Sequence, residues 1–245
     1  MKPWPKEKLD RLLDDLEKRR PKGRAIAAFD ADGTLWDTDL GEGLFAHQIK
    51  NKLVPLPQDP WGHYNWLKEH KGNPAAYLWL AQINQGVPIK TVREWAAQGV
   101  KAMSPVPVYD EQRKIIEKLK ALDVEIYVVT ASIKWAVEPG APLLGLTFDQ
   151  VIGIETEVVN GIVTDKQKGV ITYREGKPQA LLARTGGVAP YFAAGNTEGD
   201  KWLFESATDM RLVMSSAPED GENWPTERTM LALANERGWY SHRYL

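Results

Sequence analysis

Short unbroken apolar runs alternate with helical stripes along most of the chain. Ala25-Ile26-Ala27-Ala28-Phe29 follows the turn signal Arg20-Pro21-Lys22-Gly23, and similar runs recur at Val124–Val129, Val151–Ile154, Tyr191–Ala194 and Arg211–Met214. A run of that length, bounded by turn residues, suits a strand buried on both faces of a parallel sheet. Ahead of the first run, Leu9, Leu12, Leu13 and Leu16 fall at helical spacing within Met1–Arg20 and predict an amphipathic helix. Asp110–Leu122 carries Ile115, Ile116, Leu119 and Leu122 on one face, with Asp110 placed to cap it. Pro178–Arg184 predicts a short helix closed by Gly186 and Gly187, and Lys201–Ala207 another. Strand–helix alternation of this kind predicts an α/β fold with a mostly parallel sheet.

From Asp39 to Pro107 the rhythm breaks. No convincing strand occurs there, and three helices are expected: near Gly43–Lys52, at Pro74–Gln85 and at Pro88–Met103. The last puts Ile89, Val92, Trp95, Ala96, Val100 and Met103 on a shared face, with Pro88 suited to its first turn. Prolines 55, 57, 60, 105 and 107 punctuate the stretch. The reading is a core of residues 1–38 and 108–245 with a helical cap, residues 39–107, inserted after the first strand. Val158–Thr164 reads as a peripheral hairpin turning on Asn160-Gly161.

Composition narrows the partners. Over 245 residues, 43% are apolar, 26% charged, and the formal net charge is −2. That balance argues against nucleic acid or an anionic membrane as the main partner, since either needs a clustered basic surface. It leaves room for a small anionic ligand in a local positive pocket. The absence of cysteine excludes disulfides, thiolate metal sites and a cysteine nucleophile. No run of about 18 apolar residues predicts a membrane span, and no signal-peptide pattern opens the chain. The expected location is the cytoplasm. Oligomeric state is not readable.

The strongest chemical signal is Phe29-Asp30-Ala31-Asp32-Gly33-Thr34-Leu35-Trp36. Two carboxylates two residues apart follow a buried strand, and ligands of open α/β sheets bind outside the carboxyl ends of strands. Buried anions are costly without compensation; a hard, oxygen-seeking Mg²⁺ would supply it. Three later segments agree. Tyr127-Val128-Val129-Thr130-Ala131-Ser132 ends a strand with a hydroxyl residue placed to donate to an anion at the same sheet edge, or simply to cap the turn. Gly176-Lys177-Pro178 puts a lysine at a helix N-terminus, where the dipole disfavours it; a phosphate held between the two would explain it, against the plain alternative of a solvated lysine in a loop. Gly195-Asn196-Thr197-Glu198-Gly199-Asp200 follows an apolar run and offers two oxygen ligands for a metal.

In this order the four segments resemble the haloacid dehalogenase superfamily. Asp30 and Asp32 match its first motif, Thr130 its second, Lys177 its third, and Asn196 with Asp200 its fourth. The resemblance implies a Rossmann-like core with a helical cap that acts as a lid, closest to the phosphoserine phosphatase and phosphorylcholine phosphatase branch. It implies an Mg²⁺-dependent phosphomonoesterase with Asp30 as nucleophile, Asp32 as acid and base, and Thr130, Ala131 and Lys177 on the phosphate. Asp30, the backbone carbonyl of Asp32, Asn196 and Asp200 would hold the metal. A phosphomutase uses the same two aspartates, and a member that binds a phosphometabolite without turnover is a further alternative. One departure stands out: phosphatases of this branch usually have Asp where this chain has Asn196, and an amide ligates without bringing charge.

The expected partner is a small phosphomonoester. Asp37, Asp39 and Glu42 follow the first motif and point to a cationic leaving group, such as choline, ethanolamine or serine. Trp36, Trp61, Tyr64, Trp66, Tyr77, Trp79 and Trp95 offer ring faces for it, against the plain alternative of a cap core. Arg93 offers a carboxylate partner or a solvated charge.

Overall fold

The computed structural model of the chain describes residues 2–245. Seven strands form one sheet: β1 (Ile26–Phe29), β2 (Glu125–Ile133), β3 (Val151–Val159), β4 (Ile162–Lys168), β5 (Phe192–Gly195), β6 (Met210–Ser215) and β7 (Tyr240–Arg243), in the order β4-β3-β2-β1-β5-β6-β7. All neighbours run parallel except β3 and β4, which form an antiparallel hairpin. Its turn places Asn160 at φ 52° and Gly161 at φ 80°, the conformation that an Asn-Gly pair favours. β1 lies centrally between β2 and β5, so the chain switches from one half of the sheet to the other across it. That switch point opens a crevice at the carboxyl ends of the strands.

Because side chains alternate along a strand, β1 feeds two cores. Ala27 and Phe29 pack on one face with Leu12 and Leu16 of α1 (Lys6–Lys18) and Ile115, Ile116 and Leu119 of α6 (Asp110–Ala121). Ile26 and Ala28 pack on the other with Leu181 of α8 (Gly176–Thr185), Leu203 and Phe204 of α9 (Lys201–Ser206), and Met230 and Ala234 of α10 (Trp224–Arg237). Full burial on both faces is what the unbroken apolar runs predict.

Four helices occupy the chain between β1 and α6: α2 (Leu40–Asn51), α3 (Pro60–Lys71), α4 (Asn73–Gln82) and α5 (Ile89–Ala102). Asp39 caps α2 by accepting from the Glu42 backbone N–H at 2.7 Å, and Asp59 caps α3 through Gly62 at 2.9 Å. Their apolar residues, Leu44, Phe45, Tyr64, Leu80, Val92 and Ala96 among them, form a core of their own. That core continues into Ile133 at the end of β2, Trp135 and Ala136 of α7 (Lys134–Val137), Ile154 of β3 and Val163 of β4. Arg93 of α5 closes the same junction with a bidentate pair to buried Glu138, 2.6 and 2.9 Å. Its guanidinium is partly exposed to solvent and is engaged by Glu138.

The differences from the expected elements have local causes. β2 runs on past Val129 to Ile133, with a register shift against β3 between these residues, so Thr130, Ala131 and Ser132 lie within an irregular strand end and not beyond it. Asp110 opens α6 as its first residue and makes no side-chain cap bond. α3, α10 and β7 are additional: α3 and α10 begin with Pro in the first turn and mix polar with apolar residues, and β7 is a short edge strand. Among the described residues no helix is long and apolar enough to cross a membrane.

Candidate active site

Asp30 is the first residue beyond β1, held by its backbone N–H on the Ala194 carbonyl at 2.9 Å. Its side chain is buried and points up from the sheet end. Oδ1 accepts from Lys177 Nζ at 2.6 Å, and Oδ2 accepts from the Thr34 hydroxyl at 3.0 Å. Asp32, one turn of the loop further on, is held differently. Oδ1 accepts from the Trp36 indole N–H at 2.8 Å and the Leu40 backbone N–H at 2.9 Å, and Oδ2 accepts from Ser132 Oγ at 2.7 Å. A tight loop makes this possible: Gly33 N–H donates to the Trp36 carbonyl at 2.9 Å. Gly33 adopts φ +76°, and a Cβ there would lie 2.2 Å from Asn196 Nδ2, so both conformation and space require glycine.

Three further segments converge here. Lys177, in the first turn of α8, also donates to Asp200 Oδ1 at 2.5 Å. Asp200 Oδ2 accepts from the backbone N–H groups of Asn196 and Thr197, at 3.1 and 3.0 Å, and so shapes the loop after β5. The Thr130 hydroxyl oxygen accepts from the Ser132 N–H at 3.0 Å. Its own proton remains available to a ligand in the cavity that Thr130 and Ala131 line. Asn196 donates through Nδ2 to Glu227 Oε1 at 3.1 Å, and its Oδ1 lies 3.4 Å from the Thr34 hydroxyl.

Burial, more than anything else, lifts both aspartates out of the usual carboxylate range. Burial and then the charge of Asp200 raise Asp30, against the opposing pull of Lys177. Burial and then Asp39 raise Asp32 to about 7, while the bonds from Leu40, Trp36 and Ser132 hold it down. Burial opposes the Lys177 ammonium, yet Asp200 and Asp30 outweigh it and raise its pKa above the ordinary lysine value.

Residues 27–205, nearly three-quarters of the chain, match the family model of haloacid dehalogenase-like hydrolases. The chain belongs to the haloacid dehalogenase-like hydrolase family. The match spans β1 to α9, and therefore all four segments that meet at Asp30. Solved structures with this fold include a conserved, functionally unknown protein from Anaerococcus prevotii DSM 20548, with a TM-score of 0.72 at 12% identity over 96% of this chain and 90% of that one. A protein with unknown function from Bordetella pertussis Tohama I gives 0.67 at 17% identity, over 91% and 100%. A substrate-bound phosphoserine phosphatase gives 0.53 at 16%, over 87% and 99%. At these identities the likeness speaks for the fold alone. No curated protein matches the chain.

Hydrolases of this family that act on phosphate esters use Mg²⁺, and the residues present here fit such a cation. Asp30, Asp200 and Glu227 are buried beside half-buried Asp32, and Lys177 is the cation set against them. This excess of buried negative charge calls for a further positive one. Among the described residues no three His, Cys, Asp or Glu side chains gather as a cage. The reason is visible: Asp200 is engaged by Lys177 and its own loop, and the fourth-motif position facing Asp30 carries an amide. The donors on offer are mixed, Asp30 Oδ2 and Asn196 Oδ1, which share the Thr34 hydroxyl, with the backbone carbonyl of Asp32 the third that the resemblance implies. All are oxygens, as Mg²⁺ requires.

Above this floor lies an open cavity of about 680 Å³, with the inserted helices α2 to α4 on one side. Its lining on the cap side includes Asp39, Glu42, Tyr64, Lys68 and Tyr77, joined by Tyr173 and Glu222 from the core. Trp36 is fully buried and bonds Asp32, so it supports the chemistry and is no wall for a leaving group. Trp61, Trp79 and Trp95 belong to the cap core; among the rings expected at the substrate, Tyr64 and Tyr77 reach the cavity. Asp39 serves both as cap of α2 and as lining, its pKa raised to about 6 by burial and then by Glu42. Ser132 and Glu227 escaped sequence reasoning as site residues. Ser132 sits in the quoted second motif, where its hydroxyl was legible, but nothing around Glu227 marks it.

Proposed function

We propose that the protein is an Mg²⁺-dependent phosphomonoesterase that turns over a small metabolite through an aspartyl-phosphate on Asp30. One juxtaposition carries the reading: Asp30, bonded to Lys177 at 2.6 Å, beside an Asp32 whose carboxyl titrates at about 7. Asp30 attacks phosphorus and forms an acyl-phosphate while the bond to the leaving oxygen breaks. Protonated Asp32 gives that oxygen its proton. A water then attacks phosphorus, passes its proton to Asp32, and releases phosphate and free Asp30. A pKa near neutrality suits a group that must act in both forms. Lys177 and the Thr130 hydroxyl stabilise charge on the phosphoryl oxygens, and Asp200 keeps Lys177 aimed. Mg²⁺ bound by Asp30, Asn196 and the Asp32 carbonyl would supply the remaining positive charge at those oxygens.

The reading extends to the leaving group, for which we favour an amine or a quaternary ammonium. Above the floor Asp37, Asp39, Glu42, Glu198 and Glu222 line the cavity against Lys68 and Arg174. Lys68 is itself a precedent: its ammonium rests 4.4 Å over the Tyr64 ring and 3.9 Å from Glu42, the two partners a substrate cation would seek.

The test is release of inorganic phosphate from a panel of small phosphomonoesters with Mg²⁺, including phosphorylcholine, phosphorylethanolamine, phosphoserine and an aryl phosphate. Turnover with preference for the cationic members is expected. Isomer formation without phosphate release would make the protein a mutase, and inertness toward the whole panel would contradict the proposal.

A further inference from the structure

Glu227 is a buried carboxylate in the first turn of α10 that the chemistry above leaves unused. It is 2% exposed. Oε2 accepts from the backbone N–H groups of Ser216 and Ala217, at 3.1 and 3.0 Å, and Oε1 accepts from Asn196 Nδ2 at 3.1 Å. Helix start and loop are tied a second time where Thr226 Oγ1 accepts from the Glu198 N–H at 2.6 Å. Glu227 Oε1 takes a proton of Asn196 Nδ2, so the amide sits with its nitrogen toward Glu227 and its oxygen toward the Thr34 hydroxyl, which also donates to Asp30.

We propose that Glu227 is the positioning residue of the metal site. It locks the Asn196 amide with its oxygen facing Asp30 and supplies, from behind that amide, the negative charge that Asn196 lacks. Asn196 and Glu227 therefore function as a matched pair, the amide facing the cation and the carboxylate behind it. This inference rests on the metal reading above and goes beyond it, because it reverses a simple expectation. On charge alone, Asn196→Asp should tighten the site. With Glu227 behind it, the new carboxylate would face another carboxylate across the present 3.1 Å contact, where the amide N–H donor is lost.

The test is a cycle of three variants, read by calorimetric titration of the purified full chain with Mg²⁺. In Glu227→Gln the two backbone N–H groups cannot turn away, so the new amide keeps its oxygen on them. It then presents its NH₂ to Asn196. The Asn196 amide answers by flipping and points its own NH₂ at the cation position. Mg²⁺ affinity should fall by about tenfold to a hundredfold, the range for loss of an orienting partner behind a metal ligand. Asn196→Asp should also bind more weakly than wild type. The double variant should recover affinity to within about threefold of wild type. In it, the NH₂ introduced at position 227 can donate to the carboxylate introduced at position 196, whose other oxygen then faces the cation. A merely structural Glu227 would give a lower melting temperature in both Glu227 variants and no such recovery.

Unchanged affinity in Glu227→Gln, or a double variant weaker than both singles, would overturn the inference. Should Glu227→Gln not fold, Asn196→Asp decides alone: tighter binding than wild type would overturn the pairing, and weaker binding would support it. A wild-type chain that gives no Mg²⁺ binding would fell the metal reading and this inference with it, whereas binding by wild type with unaltered variants would fell this inference alone.

Discussion

The floor and the roof of the cavity are built on opposite principles. On the floor, Asp30, Lys177, Asp200 and Asn196 are 6% exposed or less, and they are bonded to one another, to the backbone or to the side chains of Thr34 and Glu227. Fixed charges in such surroundings act strongly on a reacting group and need no rearrangement when charge develops. Above, Glu42 and Lys68 are partly solvated and stand 3.9 Å apart, where charge pairs are worth about 1 kcal/mol or less. In the proposed function the floor carries the chemistry on the phosphoryl group and the roof sorts what that group is attached to. Substitutions below should therefore abolish turnover whatever the substrate, and substitutions above should change which substrate is preferred.

The largest effect is expected for Asp30→Asn. An amide keeps the shape and loses the nucleophile, and kcat should drop by at least about 10⁴-fold, roughly 5.5 kcal/mol of barrier, for every substrate. A circular dichroism spectrum should show the fold retained. Lys177→Met comes next. It removes the cation between two buried carboxylates, so kcat should fall about 10²- to 10³-fold. Stability without Mg²⁺ should drop on the order of 3 kcal/mol in chemical denaturation. Similar losses for cationic and aryl substrates are expected in both, and a strong substrate dependence would blur the division between floor and roof.

The same division governs what the sequence discloses. Floor residues sit directly after buried strands or at the start of a helix, so Asp30, Asp32, Lys177 and Asp200 are legible from the apolar run before them or the helix signal after them. The roof is assembled by packing between helices, and no local pattern separates Tyr64 and Tyr77, which reach the cavity, from Trp61 and Trp79, which fill the cap core. Trp36 misleads for the same reason, since only the three-dimensional loop turns its N–H onto Asp32. Glu227 looks like any acid in a first helical turn, and its partners lie 10, 11 and 31 positions away in sequence. α3 escaped notice because its residues show no single apolar stripe; its start is set by Asp59 and Pro60.

Asp39→Asn probes the boundary between the two regions through pH. The Asp39 carboxyl titrates at about 6 in the fold against an ordinary value of 3.8, so it is the protonated form that the fold prefers. Its stabilising contribution is fully present below about pH 4 and is lost as pH rises through 6, because the folded chain must then bury a charge that the unfolded chain carries freely. Asparagine keeps the α2 cap and carries no charge. The variant should match wild type near pH 4 and exceed it at pH 7 by on the order of 2–3 kcal/mol, measured by denaturant unfolding without Mg²⁺. The smallest effect belongs to Glu42→Gln. It should lower kcat/KM a few-fold for a phosphomonoester with an amine or trimethylammonium group and leave an aryl phosphate unchanged, as expected for a partly exposed charge. Equal losses on both would deny the roof its sorting role.

The central claim, that Asp30 carries the phosphoryl group between two displacements, is tested most directly by trapping. Wild-type protein mixed with Mg²⁺ and its best phosphomonoester, quenched in acid within one turnover and digested, should yield the peptide containing Phe29-Asp30-Ala31-Asp32 heavier by one phosphoryl group, with fragmentation placing it on Asp30. A phosphoryl group found on another side chain, or rapid turnover with no phosphopeptide at any quench time, would contradict the account.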